Sequence, residues 1–180
     1  AAKELNRPVR WMAERGEGMM TDNGGRDVVT VAEAAFDANH KLLAVRINSV
    51  SNLGAHNSGY AQHIQSELAL KVLTGIYDVQ TGYFGVKGVY TNTTPLDAYR
   101  GAGRPEAIYV IERLMDTCAK ELGTDTFTLH RKNWVPKEKF PYTTFSKSVY
   151  DVGDFGRVMD RAMKEADVDG FPARRAEAEA

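Results

Sequence analysis

Residues 91–115 read "TNTTPLDAYRGAGRPEAIYVIERLM", and the organisation of the chain follows from how this stretch changes character. A polar run ends in Tyr99-Arg100, passes Gly101, Ala102 and Gly103, and enters a periodic apolar segment through Arg104-Pro105. Ala107, Ile111, Leu114, Cys118 and Leu122 then recur at the spacing of one helix face. Pro105 suits the first helical turn and Gly123 the position just past the last. The spacing predicts a helix over 104–122, about 28 Å long at the usual rise per residue.

The loop before that helix admits two readings. Gly101 and Gly103 permit positive φ, so successive backbone N–H groups can converge on one point. The helix start adds unpaired N–H groups and a partial positive charge, and Arg100 and Arg104 add donors able to fork onto oxyanions. Such a site suits a phosphate, a carboxylate or a metal-oxo group. Equally, the glycines make a tight turn and the arginines face water.

Working outward, "DVVTVAEAAFD" (27–37) and "LLAVRINSVSN" (42–52) carry the β-branched content and period-2 alternation of strands. With the turn "DANHK" between them they predict an antiparallel hairpin. "RPVRWMAER" (7–15) reads as a short strand and "GEGMMTDNGGR" (16–26) as a glycine-rich connector. The segment 59–75 reads as a helix with a partial apolar stripe. "TGYFGVKGVYTN" (81–92) reads as a strand weakened by three glycines. Downstream come a short helix over 125–133, an ordered loop with two prolines, and a last amphipathic helix over 153–166. Strands early and long helices late predict an α+β fold, a mixed, largely antiparallel sheet with helices packed on it.

Composition bounds the function. The chain has 180 residues, 43% hydrophobic and 26% charged, with a formal net charge of −1. These are ordinary globular values, and near-neutrality gives no reason to expect nucleic acid or a membrane surface as partner. No apolar run approaches the ~20 residues of a membrane span. Cys118 is the single cysteine, so there is no internal disulfide and no cysteine-based metal site. A reducing, cytoplasmic setting is the simpler expectation. The chain opens without methionine and closes in an uncapped helix former, "FPARRAEAEA", which reads as a segment of a longer polypeptide.

Most signatures fail. Glu106 stands where a dinucleotide fingerprint needs its third glycine, and no P-loop Gly-Lys-Ser/Thr occurs. His40, His56, His63 and His130 form no zinc-hydrolase pair. His56 and His63 flank "NSGYAQ" and could meet in space, although capping or surface roles suit them better. Cys118 on the apolar stripe reads as a small buried hydrophobe. No nucleophile–base pair shows at a telling spacing, so the chain displays no complete active site and no catalytic residue is assigned.

The stretch "TNTTPLDAYRGAGRPEAIYVIERLMDTCAKELGTD" closely resembles the large, molybdenum-binding subunit of the molybdenum hydroxylases. That family includes xanthine dehydrogenase, aldehyde oxidase and aerobic carbon monoxide dehydrogenase. Its aromatic-Arg-Gly-x-Gly loop is matched by Tyr99, Arg100, Gly101, Ala102 and Gly103. "RPVRWMAERGEGM", "GVYTNTTP", "LHRKNWVPKEKFPYTT" and "YDVGDF" resemble family segments in the same order, over residues 1 to about 175. "AYRGAGR" is similar to the carbon-monoxide-dehydrogenase-like branch.

The resemblance implies a fragment of a molybdopterin-binding domain over 1–180, strand-rich with one helix up to residue 100 and helix-rich from 101. It implies that Arg100, Gly101 and Gly103 bind the cofactor, with the Arg100 backbone near molybdenum, and that Tyr99, Ala102 and Leu68 line the substrate pocket. Purine-oxidising members carry phenylalanine at the position of Ala102 and arginine at that of Leu68, which argues against a purine. Carbon monoxide oxidisers carry a copper-holding cysteine at the position of Gly101. The parent would use molybdenum-molybdopterin, in its cytosine dinucleotide form, to hydroxylate a small molecule. FAD-binding and iron–sulfur partners would take the electrons, within a homo-oligomeric assembly. The family's other molybdenum loop and its catalytic glutamate fall outside these residues, so the fragment alone is expected to hold no cofactor and to be inactive. A true carbon monoxide dehydrogenase, or a non-catalytic α+β module binding an anion or a protein partner, are the rival readings.

Overall fold

The computed structural model describes all residues, Ala1–Ala180. Strands β1 (Val28–Phe36) and β2 (Leu42–Gly54) form the expected antiparallel hairpin, with Ala34 opposite Val45 and Thr30 opposite Ser49. Strand β3 (Thr81–Tyr90) adds to the other side of β2, in parallel, giving the order β1-β2-β3. A two-residue ladder, β4 (Tyr142–Thr143) with β5 (Val149–Tyr150), is antiparallel. The fold is thus α+β with a mixed sheet. A parallel β2–β3 pair demands a crossover, and residues 55–80 supply it.

One face of the sheet is covered. Val45, Ile47, Ser49 and Ser51 of β2 point inward and are buried, whereas Val29, Val31 and Val50 on the other face are exposed. Helix α4 (Arg104–Glu121) covers the inner face. Ile111, Met115 and Ala119 pack with Leu42, Val45, Tyr77, Val79, Leu129 and Trp134, while Ala107 meets Ile47, Ala69 and Leu73. Burying a side chain such as Ile111 contributes roughly 1.5–3 kcal/mol. The buried line is therefore Ala107, Ile111, Met115 and Ala119, a strict i, i+4 row. Leu114, Cys118 and Leu122, expected at its centre, lie half-buried on its shoulder.

The ends of α4 follow their residues. Pro105 sits in the first turn, and Gly123 adopts φ +64° just past the last. There the Thr124 N–H donates to the Ala119 carbonyl (3.0 Å) and the Gly123 N–H to Lys120 (3.1 Å), closing the helix with a Schellman pair. Helix α5 (Thr126–Asn133) starts as expected, capped by the Asp125 carboxylate on the Thr128 N–H at 2.8 Å.

Four local expectations change. Residues 8–14 form no strand, because nothing lies alongside to pair with them; a short helix, α1 (Ala2–Leu5), precedes them. The supposed connector begins as helix α2 (Arg15–Thr21), whose start is fastened by the Glu14 N–H on the Glu17 carboxylate at 3.0 Å. The helix expected over 59–75 is α3 (Ala61–His63) running into a π-helical segment, Ile64–Leu68. Its wider turn places Ile64 and Ala69, five residues apart, both in the interior. Finally, α6 (Phe155–Glu165) is amphipathic as expected, with Phe155 and Met159 on the core, but α7 (Phe171–Glu179) follows it.

Candidate functional site

Asn23 to Arg26, ahead of β1, run beside residues 95–100. The Gly24 N–H donates to the Pro95 carbonyl (2.9 Å) and the Asp97 N–H to that of Gly24 (3.1 Å). The chain then enters three successive positive φ angles, +99° at Gly101, +44° at Ala102 and +83° at Gly103. The turn closes with the Ala102 N–H on the Tyr99 carbonyl at 2.8 Å, and the Arg104 N–H on that of Gly101 at 3.2 Å.

Both glycines are demanded by this chain's own packing. A Cβ on Gly103 would lie 2.1 Å from the Ile64 carbonyl oxygen, and one on Gly101 would lie 2.5 Å from the Pro105 ring. The π segment therefore backs directly onto the loop. Leu68 stands on that segment, half-buried and in neither core cluster.

The front of the loop is unspent. The N–H groups of Arg100, Gly101 and Gly103 donate to nothing within the chain, and they stand at the N-terminus of an 18-residue helix. The Arg100 and Arg104 side chains are exposed and make no ion pair; Arg104 donates to the Gly101 carbonyl at 3.2 Å. Tyr99 and Ala102 complete the rim, Tyr99 being largely exposed. Converging amides beside unpaired guanidinium groups fit an oxygen-rich anion. No group of three or more His, Cys, Asp or Glu side chains is placed to hold a metal ion.

Beside the loop lies a feature that sequence reading missed. The Arg26 guanidinium donates to the Arg100 carbonyl at 2.6 Å, lies 4.6 Å from the centre of the Tyr99 ring, and faces the Glu106 carboxylate at 3.7 Å. Glu106 also accepts from Gln65 of the π segment at 3.3 Å, and its other oxygen is buried without a partner. Arg26 and Arg100 are 74 residues apart, and no local pattern announces such a contact.

The other candidates separate from the site. His63 pairs with Glu67 at 3.2 Å, and His56 is exposed; no hydrogen bond joins the two. Cys118 is half-buried against the core, and burial pushes its thiol up, with Glu121 adding to the effect. His130, an unassigned histidine in the sequence, is buried beside Tyr77, with Glu112 and Asp116 each 3.4 Å from a ring nitrogen.

A half-covered mixed sheet, a crossover π segment and an amide-lined loop opening a long helix make up this α+β domain. Residues 1–134 match the molybdopterin cofactor-binding domain family, and the chain belongs to it. It is 36% identical over 175 residues to the carbon monoxide dehydrogenase large chain of Hydrogenophaga pseudoflava, a match covering 96% of this chain and 21% of that one. Among solved structures it is similar to quinoline 2-oxidoreductase from Pseudomonas putida 86, with TM-score 0.89 and 29% identity, covering 99% of this chain and 23% of that one. A reconstituted CO dehydrogenase from Oligotropha carboxidovorans aligns with TM-score 0.85 and 32% identity, over 99% of this chain and 23% of that one. The chain thus spans about a fifth of the length of the relatives it matches. None of its helices is long and apolar enough to cross a membrane.

Proposed function

We propose that this chain forms one wall of the molybdenum-cofactor pocket in the large subunit of a molybdenum hydroxylase of the carbon-monoxide-dehydrogenase-like branch. The observation that carries the reading is the Tyr99–Gly103 loop, whose free amides and unpaired arginines stand at one helix start. When bound, the cofactor would supply the redox chemistry that places a water-derived oxygen on a carbon centre. The N–H groups of Arg100, Gly101 and Gly103 would hold and orient its anionic oxygens, and the α4 terminus would support that charge. Tyr99, Ala102 and Leu68 shape the side where substrate enters. With small Ala102 and apolar Leu68, a purine lacks both the ring sandwich and the cation that the resemblance calls for.

Carbon monoxide is the less favoured substrate. A side chain at Gly101 would meet φ +99° and the Pro105 ring, so a copper-holding cysteine does not fit this loop conformation. FAD-binding and iron–sulfur partners, the cytosine dinucleotide form of the cofactor, an oligomeric parent and a cytoplasmic setting complete the proposal. So does the absence of turnover by the 180-residue chain alone.

The test is molybdenum and pterin content after expression in a host that makes the cofactor. The large subunit containing this segment is expected to carry near-stoichiometric molybdenum, and the 180-residue chain far less. A large subunit that purifies folded but free of molybdenum overturns the reading and leaves a non-catalytic anion- or partner-binding module.

A further inference from the structure

We infer that Arg26 is the positioning residue of the Tyr99–Gly103 loop, and that Glu106 in turn sets Arg26. In a trans peptide the carbonyl and the N–H of one plane point in opposite directions. The Arg100 carbonyl and the Gly101 N–H share such a plane. Arg26 holds that carbonyl on its own side with a 2.6 Å charge-assisted hydrogen bond, so the Gly101 N–H is turned to the opposite side, where it has no partner in the chain. A guanidinium suits the task because it donates in its plane while presenting a flat face to an aromatic ring. Arg26 does both, lying 4.6 Å from the Tyr99 ring centre.

Glu106 supplies the counter-charge from the first turn of α4, with a side chain only 11% exposed. Gln65 reaches the same carboxylate from the π segment. One carboxylate therefore ties together the residues before β1, the back wall and the loop. Arg26 itself sits at φ +59°, a conformation that arginine rarely adopts, so the surrounding contacts over-determine its place. Without the clamp, that peptide is free to turn over and present its carbonyl, with its negative charge, on the side where the Gly101 N–H would meet an anion.

The ligand half of the inference rests on the oxyanion reading above; the clamp itself does not. Trypsin cleavage at the Arg100–Gly101 bond of the 180-residue chain, followed by mass spectrometry, reads how often the loop opens, and cleavage after Lys120 within α4 is the internal control. Arg26→Ala is expected to raise cleavage at Arg100–Gly101 about tenfold, the loss of one charge-assisted hydrogen bond, with Lys120 cleavage unchanged. Glu106→Gln, which keeps shape, is expected to give a smaller rise of the same kind. Arg26→Lys should restore the melting temperature but not the protection, because an ammonium cannot fork and stack at once. Unchanged cleavage at Arg100–Gly101 in both Arg26→Ala and Glu106→Gln, or an equal rise at Lys120, overturns the clamp. Titration with sodium molybdate, read at the Gly101 amide by NMR, separates the two ideas. Loss of that response in Arg26→Ala supports the full inference. An open loop in the variant, with no wild-type response to molybdate, supports the clamp and overturns the oxyanion reading.

Discussion

Two glycines flank α4, both with positive φ, Gly103 at φ +83° before it and Gly123 at φ +64° after it. Their surroundings differ completely. A Cβ on Gly123 would meet nothing within 4 Å, whereas one on Gly103 would lie 2.1 Å from the Ile64 carbonyl oxygen. Gly123→Ala should therefore cost only the left-handed penalty of an L-residue, about 1–2 kcal/mol. Gly103→Ala carries the same penalty, and must also push the loop off the π segment, adding about 1–3 kcal/mol. At roughly 2–4 °C per kcal/mol for a chain of this size, Gly103→Ala should melt about 2–12 °C below Gly123→Ala. The assay is thermal unfolding of both variants side by side, checked by urea midpoints. Equal losses, within about 0.5 kcal/mol, would refute the claim that the loop is seated directly on the crossover.

Three further outcomes are expected. Asp78 is 9% exposed; burial alone would raise its carboxyl, but Lys139 at 2.6 Å and Lys41 at 3.2 Å outweigh that and hold it below the ordinary value. Its contribution is present above the unfolded pKa of about 4 and is lost as pH falls through the lower folded value, so Asp78→Asn should flatten the acid limb of a stability–pH curve below about pH 4. Tyr142 is pushed up to about 12, by burial first and then by the Asp78 charge. Above pH ~10 the unfolded chain gives up this proton and the folded one keeps it, so stability falls between about pH 10 and 12; alkaline denaturation of Tyr142→Phe should lack that component. Asn133, fully buried, accepts from the Leu42 N–H at 2.7 Å and donates to the His40 and Leu129 carbonyls at 3.0 and 2.9 Å. Asn133→Leu leaves those groups unpaired and should cost about 2–5 kcal/mol in urea unfolding.

What could be read from the sequence is what is encoded locally. Helix α4 was legible because its apolar period, Pro105 and Gly123 all lie within twenty-odd residues. The β1–β2 hairpin was legible because two alternating runs flank a short turn. The direction of β3 was not, since nothing in Thr81–Tyr90 says whether its neighbour runs parallel or antiparallel. The strand reading of residues 7–15 went astray because β-branched and aromatic residues describe a preference, and a strand exists only with a partner. The core line on α4 was misplaced by one row for a related reason: Met115 and Ala119 looked no more apolar than Leu114 and Cys118, and only packing against Leu42, Val45, Tyr77 and Leu129 selects between them. At the candidate site, glycines, arginines and helix start were visible together. The clamp was not, because Arg26, Gln65 and Glu106 belong to three separate stretches that meet only in space.

The contact between Arg26 and the Arg100 carbonyl also carries a message about timing. Closing a loop of 74 residues carries an entropic cost of about 4 kcal/mol, and no single hydrogen bond repays it. The contact can form only after the hairpin, the crossover and the start of α4 have drawn its two ends together, so it ranks among the late events of folding. A chain still emerging from the ribosome lacks a shaped loop until α4 is out. The loop therefore takes its form in the same step that seats α4 on the sheet, and it is among the last parts of this chain to be shaped.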